Sequence, residues 1–162
     1  MRLVQWLFVV GAMLFVFGIG FVVIGARAAR QTPPPAQAAP IVPIASIKQI
    51  MNGIIDPGAT KVFDSVSTTV SDRGVEEVVP RNDEEWAAVG TSAAALAEAG
   101  NMLLIDGRAI DRGDWVTMAI AMIEAAKQTL AAVDAKSPDK ILEAGSNLNT
   151  SCDNCHRRYQ RQ

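Results

Sequence analysis

The last quarter of the chain reads "SPDKILEAGSNLNTSCDNCHRRY", Ser137 to Tyr159. Ser137 suits a helix N-cap and Pro138 a first helical position, where its missing N–H costs nothing. Ile141, Gly145, Leu148, Cys152, Cys155 and Tyr159 then recur at alternating steps of four and three. That is the seam spacing of a helix packed in a bundle. Both cysteines fall on the seam, and His156 lies four residues past Cys152, on the same side. Gly145 leaves room on that face.

The sequence has 162 residues, 2 Cys and 1 His, and all three of these side chains lie within "CDNCH", Cys152–His156. Cys-x-x-Cys can serve as a redox dithiol, but that chemistry usually sits between a strand and a helix in a βαβ unit. Structural zinc takes four ligands, typically from two clusters, and here there is one cluster of three. Cys-x-x-Cys-His is also the attachment pattern of c-type haem, and this reading fits best. Two thiols bond the two vinyl groups of the porphyrin, and the adjacent imidazole ligates the iron.

Upstream, no strand-like alternation persists, whereas helical spacing recurs three more times. After Pro43 come Ile44, Ile47, Met51 and Ile54 or Ile55. "DPG" at Asp56–Gly58 interrupts them, and the pattern resumes or kinks through Val62, Phe63, Val66 and Val70. A second helix opens at "NDEEW" with Asn82 or Asp83 as cap. Its stripe is Trp86, Val89, Ala93, Leu96, Gly100, Leu103 and Leu104. A third follows "DGRAIDRGD", with Trp115, Met118, Met122, Ile123, Ala126, Leu130 and Val133. Met102, Met118 and Met122 read as core packing. The expected fold is all-α: an antiparallel four-helix bundle with a C-terminal haem site.

The N-terminus differs in kind. Leu3–Ala26 carries no charge, and as a helix it spans about 36 Å against a hydrocarbon core of about 30 Å. It predicts one transmembrane helix over residues 1–26. A cleaved signal peptide is the other reading, since "ARAA" at Ala26–Ala29 offers small residues, but the apolar run exceeds a usual signal core. Arg2 flanks one end, and Arg27 and Arg30 the other, so flanking charge leaves the orientation open. Residues 27–43 contain Pro33, Pro34, Pro35, Pro40 and Pro43, which favour an extended spacer. Residues 44–162 form the expected haem domain. Beyond Gln31 the chain has 12 Lys+Arg against 17 Asp+Glu, a formal charge of −5. That balance argues against nucleic acid as a partner. No residue set resembles a hydrolytic or acid–base site, and the single histidine is accounted for, so the protein reads as a carrier rather than an enzyme.

From Ile44 to Gln162 the chain resembles the cytochrome c′ family. The resemblance rests on "SCDNCHRRY", on the tryptophan-containing second and third helices, and on "IKQIMNGIIDPGATKVFDSV". It implies a four-helix bundle with one covalent haem c on Cys152 and Cys155 and with His156 as proximal iron ligand. In this family the first helix supplies the other axial position. Met51 lies 105 residues before His156, where that distal residue falls, so the resemblance implies Met51 as distal ligand. Low-spin relatives with methionine there transfer electrons, whereas open-site relatives bind nitric oxide or carbon monoxide. A third expectation is a haem-bearing structural subunit of a larger complex. Lys48, Arg108 and Arg112 would lie near a haem propionate by the same likeness, but each reads more simply as a surface charge. The expected partners are membrane redox complexes or other electron carriers, with a homodimer as in many relatives. The expected location is the bacterial inner membrane, with the haem domain in the periplasm.

Overall fold

The computed structural model describes residues 2–31 and 40–160. They fall into two compact units, residues 1–40 and 41–162. Positions 27–31 of the expected spacer instead continue the helix, and positions 32–39 lie outside the described residues.

The first unit is one helix, α1, Arg2–Gln31. Its stretch Arg2–Arg27 has a mean hydropathy of 2.8, and its large apolar side chains stand exposed. It is long and apolar enough to span a membrane.

The second unit holds four helices. The first, α2, covers positions 47–63 and combines Ile47–Ile50, a π-helical turn Met51–Ile55, and Asp56–Phe63. Then come α3 (Asp83–Leu103), α4 (Asp114–Asp134) and α5 (Pro138–Tyr159). Met51 of α2, Leu103 of α3, Trp115 of α4 and Ser151 of α5 meet at one end. Near the other end Val62 and Phe63 of α2 face Ile141 and Leu142 of α5. Neighbouring helices therefore run antiparallel. Helix α4 is also apolar enough to be a candidate span, with a mean hydropathy of 1.3. It instead packs between α3 and α5 and buries Trp115, Met122 and Ala126.

Capping residues set the helix starts. Ser46 and Gln49 form a capping box: Ser46 Oγ accepts from the Gln49 amide at 3.2 Å, and Gln49 Oε1 accepts from the Ser46 amide at 2.9 Å. Asn82 caps α3 by accepting from the Glu85 amide at 2.9 Å, ahead of three carboxylates that favour the positive helix end. Ser137 caps α5 with Pro138 behind it. The core runs the length of the bundle through Ile50, Val62, Val89, Leu96, Ile141 and Leu148. The one fully buried polar side chain among the largest, Thr129, donates to the Ala125 carbonyl at 3.1 Å.

Three expectations for the first helix are corrected. It starts after Ser46, and Ile44 is 93% exposed rather than packed. "DPG" does not interrupt it, because the π turn absorbs Pro57. It also ends at Phe63, short of Val66 and Val70. A hairpin follows, β1 (Ser67–Ser71) paired antiparallel with β2 (Gly74–Val78). The β-branched runs "STTV" and "GVEEVV" favour strand. Gly74, at φ +121°, closes the turn in a conformation that L side chains rarely adopt. This hairpin is the departure from an all-α chain among the described residues.

Candidate functional site

The amphipathic seam of α5 decides where its reactive side chains point. Ile141, Ala144, Gly145, Leu148 and Ser151 are buried along it. One turn on, Cys152 and Cys155 are half-buried, and His156 is exposed at the rim. All three line a single cleft. Met51 and Ile55 of α2 line it too, with Leu103 of α3 and Trp115, Met118, Ala119 and Met122 of α4. Met51 is half-buried. Thus the four side chains singled out in the sequence are brought together across 105 positions of chain.

The cleft is tight, with about 30 Å³ that admits the centre of a water molecule. Its walls are nearly all apolar, and three methionines give it adjustable sides. Burial pushes the Cys152 thiol up from its ordinary value, only partly offset by a hydrogen bond with Ser151. Burial, then the neighbouring Cys152, raises Cys155 likewise. These are protonated thiols at neutral pH, unlike the lowered thiol of a redox Cys-x-x-Cys pair. Among the described residues, no group of three or more His, Cys, Asp or Glu side chains is placed to hold a metal ion by itself.

A polar latch fixes one wall. Trp115 is buried, and its indole N–H donates to the Leu103 carbonyl at 2.9 Å. Tyr159 packs edge-on against it, with ring centres 5.1 Å apart. The Tyr159 hydroxyl donates to Asp111 Oδ2. Asp111 Oδ1 accepts from the amides of Gly113 at 2.8 Å and Trp115 at 3.1 Å. Arg158 pairs with Asp114 at 2.8 Å. The Tyr159 hydroxyl, with the two amides, holds the Asp111 carboxyl below its ordinary value of 3.8. Burial first, then Asp111, raises the Tyr159 phenol. Together these bonds tie the last turn of α5, which carries His156, to the loop before α4.

Several expectations about side chains shift. Met122 is core as expected and lines the cleft as well, Met118 lines the cleft half-buried, and Met102 is exposed. Lys48, Arg108 and Arg112 are not among the cleft's lining residues. Arg112 pairs with Asp106 at the surface. Arg108 instead staples two backbones, donating to the carbonyls of Met102 at 2.6 Å and Ala45 at 3.1 Å. The latch around Asp111 was not foreseen, since nothing local in "DRGDW" marks a partner 48 positions away. No family model, curated protein or solved structure matches the chain.

Proposed function

We propose that this protein is a membrane-tethered monohaem c-type cytochrome of cytochrome c′ type, which passes single electrons between partners facing the periplasm. The observation that carries the reading is the convergence of Cys152, Cys155, His156 and Met51 on one apolar cleft. Two protonated thiols three positions apart suit vinyl groups on neighbouring pyrroles. Cys152 and Cys155 would hold the haem through thioether links, which form from thiols and vinyl groups without an oxidant. Imidazole and thioether are the usual axial pair of cytochromes c. The apolar walls exclude water, which suits a bound porphyrin.

The donor set and the apolar character of the walls suit a haem in chemistry, and the group when bound would supply reversible one-electron iron chemistry. The cleft as it stands is narrower than a macrocycle, and the unbranched methionines lining it are the side chains best able to repack. Cys152 and Cys155 would hold the group, and His156 and Met51 would serve as ligands to its iron. The latch through Asp111, Tyr159 and Trp115 would keep the turn bearing His156 in register. The long apolar helix α1 would hold the domain at the membrane.

The test is covalency. Thioethers survive denaturation, so acid–acetone should leave the haem on protein produced with a c-type maturation system. Mass spectrometry should find the intact group on the peptide spanning Cys152–Cys155, and a double Cys→Ala variant should lose it. Haem that washes out of the wild-type protein, or no haem at all, ends the reading.

A further inference from the structure

The bundle is electrically lopsided. The half that contains the hairpin, positions 56–92 and 124–147, carries twelve Asp+Glu against six Lys+Arg. The half that contains the cleft, positions 41–55, 93–123 and 148–160, carries five of each. The whole acidic excess of the described bundle therefore sits at the end away from the cleft.

The cleft end also presents apolar side chains that stand exposed among the described residues. Ile41 and Val42 are exposed, Ile44 is 93% exposed, and Ile110 is 56% exposed. They belong to two segments that pack together. A Cβ on Gly107 would lie 3.7 Å from the Pro43 ring, and Arg108 donates to the Ala45 carbonyl. On the same half of the bundle Lys48 and Arg157 are exposed cations that form no salt bridge among the described residues, whereas the exposed Asp106 is paired with Arg112. Exposed apolar side chains on a half that is free of the acidic excess and offers exposed cations suit an interfacial membrane contact.

Chain connectivity points the same way. The chain enters the bundle at this end, through 41–46. Ten peptide steps separate Gln31, the end of the apolar helix, from Ile41. A tether that short makes even a weak surface contact effective.

We propose that the cleft end of the bundle docks on an anionic bilayer surface. Ile41, Val42, Ile44 and Ile110 enter the headgroup layer, Lys48 and Arg157 meet anionic headgroups, and the acidic hairpin end is held outward by repulsion. Each basic side chain near such a surface favours docking by about fivefold. The inference rests on surface chemistry and connectivity and does not depend on haem.

The test uses the full chain, one copy per nanodisc. One set of discs contains phosphatidylcholine alone, and the other contains about 30 mol% phosphatidylglycerol. Amide hydrogen exchange is read at 41–46, at 104–113 and, as a fold control, in the hairpin. In anionic discs the first two segments should exchange at least about fivefold more slowly, with the hairpin unchanged. A variant carrying Ile44→Asp and Ile110→Asp, both at exposed positions, should lose the protection and keep the hairpin pattern. Equal exchange in the two lipids, or protection of the hairpin end, overturns the proposal. Protection that appears only with two chains per disc would assign the patch to a second copy and overturn it too.

Discussion

Three methionines line the cleft, and only one of them should ligate. Met51 is half-buried at the first position of the π turn. Replacing it with Ala removes the side chain beyond Cβ. A fully buried methionine truncated this way costs about 2–5 kcal/mol. Half-burial sets the expected loss near about 1–2 kcal/mol, with about a few tenths returned by the better helix propensity of alanine. The thermal midpoint should fall by roughly 4–10 °C, and the Leu variant, close in volume, should lose less. The fold therefore survives both changes, and spectral differences report on the iron. The haem-loaded wild type should be low-spin when oxidised and bind carbon monoxide slowly. Met51→Leu should give high-spin iron, rapid carbon monoxide uptake and a lower reduction potential, because thioether favours the ferrous state. Met118→Leu and Met122→Leu should leave all three properties nearly as they were. If Met51→Leu changes nothing while an α4 variant does, the assignment of Met51 is wrong. If the wild type is already high-spin and takes up carbon monoxide at once, the gas-binding alternative replaces electron transfer.

Three other outcomes are expected. The apolar stretch Arg2–Arg27 should keep the protein in the membrane pellet through high salt and carbonate, and a mature N-terminus near Ala29 would instead mark a cleaved leader. Gly100→Ala should destabilise by about 1–3 kcal/mol despite a propensity gain of about 1 kcal/mol, because the new Cβ would overlap Ile123 Cγ1 and crowd Met122 Cε at 3.2 Å. Adding Ile123→Ala should recover part of that loss, and a stabilised single variant would disprove the close approach of α3 and α4. The lowered Asp111 carboxyl contributes stability that is fully present above its ordinary value of 3.8 and is lost as pH falls through the depressed folded value. Asp111→Asn should therefore flatten the acid limb of a urea-midpoint profile, and an unchanged limb would remove the latch from the account.

Helix number, and the start and seam of α5, were legible because capping chemistry and period are local properties. Ser137, Pro138, Ile141 and Leu148 stand as their spacing demanded. The stripe of α4 was only half legible. Ala125 and Ala132 are buried, whereas Leu130 and Val133 are half-exposed, because close helix approach favours small residues at the contact line. The hairpin was missed when Val66 and Val70 were read at helical spacing, although the β-branched run and the Gly74 turn argued for strand. Among the residues that line the cleft, the cysteines and His156 stood out by their motif, and Met51 by its place in the family resemblance. Trp115, Met118 and Met122 were seen only as core, since a cleft wall and a core stripe have the same pattern.

The π turn explains why Met51 faces the cleft rather than the core. Regular helical spacing puts Ile47, Met51 and Ile54 or Ile55 on one face and leaves Ile50 to one side. In the folded chain Ile50 is buried at 2% exposure and Met51 is half-buried. Ile50 and Ile55 are five positions apart, roughly 140° out of phase on an α-helix, yet both are buried. The turn between them reconciles this, because the Asp56 amide donates to the Met51 carbonyl, five residues back, and one extra residue is accommodated. Pro57 supplies the cause. It has no N–H to give the Gly53 carbonyl, and in a regular helix its ring would press on that carbonyl, so widening the preceding turn relieves the clash. The first turn of α2 is thereby rotated relative to the rest. Ile50 takes the core position, and Met51 moves to the edge, where it meets Cys152, Cys155 and His156. A proline that looked like a helix break is what carries the thioether to the site.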